Sequence, residues 1–127
     1  MQIDWSLSVS NRTLLFVQSH APHGSLFGQE GLDAIMMGSA FARCTVLMQG
    51  DGIYQLIIDQ DPTGTNTRDY SVTYSALRDY GVESVLCVQE DLTERRLSED
   101  DLIIPVSVVS RSEVPHILAT HDVILDF

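Results

Sequence analysis

The chain contains no lysine. Its only permanent cations are seven arginines, set against eighteen aspartates and glutamates, for a formal net charge of −11 over 127 residues. Without lysine there is no Walker-type phosphate loop, which needs an ammonium on the nucleotide phosphates, and no Schiff-base mechanism. The charge balance also argues against direct nucleic-acid binding, because affinity for a phosphate backbone comes from cations that displace its counterions. An acidic surface of this kind favours solubility and basic protein partners. Cysteine is scarce too. Cys44 and Cys87 stand alone in the apolar runs Cys44-Thr-Val-Leu-Met48 and Val85-Leu-Cys-Val88. With no CxxC pair, a disulfide framework is not indicated, and each thiol reads first as a small buried hydrophobe. No apolar run approaches the roughly 20 residues that span a bilayer. Met1 to Asn11 carries Asp4 and no basic stretch, unlike a secretory signal. The expectation is a cytoplasmic protein with no membrane association.

The residues present divide into an N-terminal extension, 1–11, open to disorder, and one α/β domain, 12–127. Strand-length apolar runs alternate with helical patterns, the signature of βα units and a mostly parallel sheet. Thr13–Gln18 reads as the first strand, broken by Pro22 and Gly24. A helix is expected over Ser25–Ala42, with Leu32, Ile35 and Met36 on its buried stripe. Thr45–Gln49 forms the second strand, stopped by Gly50-Asp51-Gly52, and Ile53–Ile58 a short helical turn. Asp59–Thr67 is polar and reads as an exposed, mobile loop. Asn66 and Asp69 suit a helix start, Tyr70, Tyr74 and Leu77 its apolar stripe, and Gly81 its C-terminal cap. Ser84–Val88 is the third strand, followed by a short helix at Asp91–Arg96. Ile103–Val109 is the fourth, with Pro105 confining it to a strand start or an edge. Ser112 is expected to cap a last helix that tolerates Pro115 in its first turn, and Asp122–Asp126 is the fifth strand. The fold class is a single-domain, open, mostly parallel five-stranded α/β sheet with helices on both faces.

In such sheets, reactive groups lie beyond the carboxyl ends of the strands. Four places qualify: His20–Gly24, Gly50–Gly52, Cys87–Asp91 and Ser110–Ser112. Gly24, Gly28 and Gly31 lack the GxGxxG spacing and read as close helix–sheet packing. Gly50-Asp51-Gly52 reads as a tight turn. His20 and His23 could share a metal, yet no third ligand is near in sequence, so a loop or partner contact is the better reading. His116 and His121 belong to the last helix, where a cation near the C-terminus is favoured. Cys87 is the candidate nucleophile, because a helix start after a strand could lower its pKa. Glu90 and Asp91 oppose this, since nearby negative charge disfavours a thiolate. No cofactor or resident metal is implied.

Five segments resemble the TusC/DsrF branch of the DsrE-like superfamily: Ala21-Pro-His-Gly24, Gln29-Glu-Gly-Leu-Asp-Ala34, Asp51-Gly-Ile-Tyr-Gln-Leu56, Arg68-Asp-Tyr70 and Asp122-Val-Ile-Leu-Asp-Phe127. They run in the family's order from Arg12 onward. The resemblance implies the same parallel α/β fold and a heterohexamer with TusB-like and TusD-like subunits. It implies a sulfur relay from a TusA-like donor to a TusE-like acceptor, ending as 2-thiouridine in tRNA. The alternative is a DsrF-like role in intracellular sulfur oxidation, and without partners the subunit could form a homo-oligomer. Cys87 matches the place where the TusD-like subunit keeps its active cysteine, but the acids after it depart from a carrier's surroundings. The expectation is an interaction subunit, with an active Cys87 carrier as the competing possibility. His20, His23, Asp51 and Tyr54 are the candidate partner or loop contacts.

Overall fold

A computed structural model describes residues 12–21, 27–57 and 73–127, together with the backbone of residues 70–72. The expectations for the N-terminal extension, the Asp59–Thr67 loop and a cap at Asn66 or Asp69 lie outside the described residues. The elements are β1 (Thr13–Gln18), α1 (Phe27–Gly38), β2 (Arg43–Met48), a 3-10 turn (Gly50–Leu56), α2 (Tyr70–Ala76), β3 (Val82–Val88), α3 (Gln89–Glu94), β4 (Ser107–Val109), α4 (Val114–Ala119) and β5 (Val123–Asp126). Strand order is β4-β3-β2-β1-β5, and every neighbour pair is parallel.

Strands covered on both faces carry near-continuous apolar runs, as β1 and β2 do. Their two-residue period sends alternate side chains to opposite faces. Phe16, Val46, Val85 and Cys87 join Leu32 and Ile35 of α1, Tyr74 of α2 and Leu92 of α3 in the larger core. Leu15, Val17, Leu47 and Val88 form the smaller one, against Val114, Ile117 and Leu118 of α4. Phe16 is fully buried, which contributes on the order of 1.5–3 kcal/mol.

Boundaries differ from the sequence reading where turn chemistry intervenes. α1 is shorter than Ser25–Ala42 because Gly38 ends it, and the following turn folds back with Phe41 and Ala42 N–H groups on the Gly38 carbonyl. Gly50-Asp51-Gly52 opens the 3-10 turn instead of standing apart from it. β4 is confined to Ser107–Val109, because Pro105 keeps Ile103 and Ile104 off the ladder. The last helix is entered through Ser110, not Ser112: Ser110 N–H donates to Glu113 Oε2 at 2.7 Å, and Glu113 N–H to the Ser110 carbonyl at 3.0 Å. Gly81 takes the expected left-handed cap, φ 94°.

Candidate functional site

Three of the four places picked out at the carboxyl edge converge on one carboxylate. Asp91, in the first turn of α3, is nearly buried. Its Oδ2 accepts the Gly50 N–H at 2.8 Å, and its Oδ1 pairs with Arg111. Arg95, one helical turn on, lies 3.7 Å from the same Oδ1 and donates to the Asp91 carbonyl at 3.1 Å. The ends of β2, β3 and β4 are thereby tied together across 41 and 20 residues of sequence. Arg95 also reaches Asp51 Oδ1 through Nη2 at 3.0 Å and Nε at 3.2 Å, and its guanidinium lies 5.9 Å from the Tyr54 ring centroid. Asp51 and Tyr54, both expected as contacts, therefore share one exposed rim.

Glu90 does not act on Cys87 as the sequence suggested. Its Oε1 accepts the Arg111 N–H at 2.9 Å, and this bond is the main reason its pKa is lowered. Asp91 is likewise occupied by arginines. The acid that does act on Cys87 is Glu99, and burial outweighs it: together they push the thiol up to about 12. Cys87 is in β3 itself, one residue before its end, fully buried beside Met48 in the ladder. The strand's alternation points it into the core rather than toward the turn. The other thiol, Cys44, is pushed up to about 11, by burial first and by Glu83 second.

His20 stands at the neighbouring corner, stacked on Phe27 with ring centroids 4.7 Å apart. Its carbonyl accepts from Gln55 Nε2 at 2.7 Å. His23 lies outside the described residues. His121 Nδ1 is 2.7 Å from the Ile117 carbonyl, at the end of α4 as expected. Among the described residues no three His, Cys, Asp or Glu side chains converge on one point. A groove of about 350 Å³ lies away from all of these, between the first half of β3 and the Ile104–Ser107 segment. It exists because β4 pairs only with Leu86–Val88.

Sequence reasoning missed a second polar cluster under the same edge. Tyr74 hydroxyl donates to Gln55 Oε1 at 2.6 Å and accepts from Gln18 Nε2 at 3.2 Å. Gln18 and Gln55 are completely buried. The signal available was a glutamine at the end of one apolar run, Leu14-Leu-Phe-Val-Gln18, and another inside a second, Ile53-Tyr-Gln-Leu56.

The DsrE/DsrF-like family model matches residues 12–127. The chain belongs to the DsrE/DsrF-like family. Within it, the chain is 37% identical over 120 residues to a protein named Protein TusC homolog from Vibrio parahaemolyticus, covering 94% of this chain and all of that one. Identity is 36% over 118 residues, 91% of this chain and 99% of the relative, to Protein TusC of Buchnera aphidicola. The crystal structure of the ychN protein from E. coli superposes with a TM-score of 0.76 at 19% identity, covering 92% of this chain and 99% of that one. That likeness establishes the fold.

Proposed function

We propose that this member of the family is a TusC-type subunit of a sulfur-relay complex, and that it assembles the relay rather than carrying its sulfur. The kinship supports the first half: curated relatives named TusC match over nearly their whole length. One observation carries the second half, the position of Cys87. A carrier thiolate must attack the outer sulfur of a donor persulfide, forming a new S–S bond while the donor leaves as a thiolate. A thiol with a pKa of about 12 and no exposed surface offers roughly one thiolate in 10⁵ at neutral pH, and none within reach of a donor.

In this reading the protein works in the cytoplasm with TusB-like and TusD-like subunits. Sulfur passes from a TusA-like donor to a TusE-like acceptor and on to the wobble uridine of tRNA. The acidic, lysine-free chain leaves the tRNA contact to another component. Asp51 and Tyr54 form the rim offered to a partner, with His20 at the neighbouring corner. The test is tRNA 2-thiolation by the reconstituted complex carrying Cys87→Ala. Assembly on size exclusion and thiolation are both expected to match wild type. Lost thiolation with assembly intact would make Cys87 the carrier and overturn the reading.

A further inference from the structure

β4 pairs with β3 only from Leu86 to Val88. Among the described residues, the first half of β3, Val82–Val85, therefore has no strand on that side. In a parallel strand alternate residues turn both N–H and C=O to the same side. The open half of β3 thus presents ladder donors and acceptors over about 13 Å at the usual strand rise. The chain does not close this gap itself. Ile103 N–H donates to the Leu56 carbonyl at 2.8 Å, and Leu102 bridges Ile57 in antiparallel fashion. These contacts hold the segment ahead of β4 away from the ladder, and Pro105 within it has no N–H to offer.

The groove of about 350 Å³ is the result. Its walls are largely apolar: Val82 and Val85 of β3, Leu77 just after α2, and Ile104 and Val106 of the diverging segment. An unpaired ladder edge beside apolar walls fits an extended backbone with apolar side chains at every second position. A small apolar molecule would fill the volume and leave the ladder groups without partners. Charge narrows the choice further. Arg78 and Asp79 on the rim are of opposite sign, and Glu83 is engaged by Arg43 at 2.7 Å. The net charge of −11 on the chain therefore decides: it favours a basic segment and disfavours an acidic one or a second copy.

We propose that this groove receives an extended, basic segment of a partner protein, added to the open half of β3 as a strand in line with β4. The segment stops or turns away at Ser107, where β4 already holds the ladder. This surface is separate from the Asp51–Tyr54 rim, and it stands whether or not the chain serves a sulfur relay.

The probe is the peptide acetyl-Arg-Val-Arg-Val-Arg-Val-amide, titrated into the full chain and followed by backbone amide NMR. Saturable shifts are expected in Val82–Val85 and Ile104–Ser107, with slowed hydrogen exchange at alternate amides of Val82–Val85. Methylating alternate peptide nitrogens blocks one side of the added strand and leaves its side chains intact. One methylated set should weaken binding about tenfold and the other about twofold at most. The analogue with glutamate in place of arginine should bind about tenfold more weakly. Absence of saturable shifts up to about 1 mM peptide overturns the proposal, as do shifts centred on the Asp51–Tyr54 rim. So do equal effects from the two methylated sets, or equal binding of the glutamate analogue. Groove shifts that grow with protein concentration alone would make a second copy the occupant and overturn it too.

Discussion

At the scale of single residues, the two thiols set the alkaline behaviour. Burial raises Cys87 from an ordinary 9.0 to about 12 and Cys44 to about 11. A thiol whose folded pKa is raised contributes fully below its unfolded pKa and progressively less as pH climbs toward the folded value. Stability is therefore expected to decline from about pH 9 toward pH 12, and a Cys44→Ala/Cys87→Ala variant should show a flatter decline in urea titrations across that range. Neither thiol should react with a thiol reagent at neutral pH until the protein unfolds. A native-state reaction of Cys87 as fast as in urea would contradict its burial.

At the scale of elements, two close approaches hold the 3-10 turn and α1 against β1. A Cβ on Gly52 would stand 2.0 Å from the Gln18 carbonyl oxygen, and one on Gly31 2.3 Å from Gln18 Oε1. Backbone cannot yield as a side-chain end can. Gly52→Ala is expected to cost about 2–3 kcal/mol and Gly31→Ala less, by chemical denaturation. The Asp91 junction gives a second expectation. Asp91→Ala leaves the Gly50 N–H and the Arg111 guanidinium without their acceptor, for a loss of about 1–3 kcal/mol. Arg111→Ala should cost less, because that side chain is half in water.

These same elements mark how far the sequence could be read. Apolar runs and their punctuation placed all five strands, since burial on both faces leaves an unmistakable pattern in β1 and β2. β4 was overdrawn because Ile103 and Ile104 look strand-like, while the ladder that would accept them needs a donor Pro105 lacks. The carboxyl-edge rule found Gly50, Asp91 and the Ser110 corner, but not that one carboxylate joins them. Glu90 and Asp91 read as hostile to Cys87 because Arg111, which engages both, is twenty residues away. Side-chain direction was the other thing position alone did not give: Cys87 faces the larger core.

At the scale of the whole molecule, the first and fifth strands are clamped by Thr13 and Asp122. Asp122 Oδ2 accepts from the Thr13 N–H at 2.9 Å and from its hydroxyl at 3.1 Å, and the N–H bond is the larger reason its pKa falls below the usual 3.8. A depressed carboxylate adds stability above its unfolded pKa and loses it as pH drops through the folded one. Stability of the wild type should therefore fall more steeply below about pH 4 than its remaining carboxylates alone would give. Asp122→Asn should lower stability at pH 7 and flatten its fall below pH 4, monitored by circular dichroism.

The place of β1 between β2 and β5 has a consequence in time. Its partner across the Thr13–Asp122 clamp lies 109 residues away in sequence. At translation rates of about 5–20 residues per second, that interval is roughly 5–20 s. Throughout it, a nascent chain carries Leu14–Val17 with one side of the strand unmatched. A strand with four consecutive apolar residues is thus the longest to wait for its second neighbour, and the ribosome-bound chain is the form most in need of a chaperone.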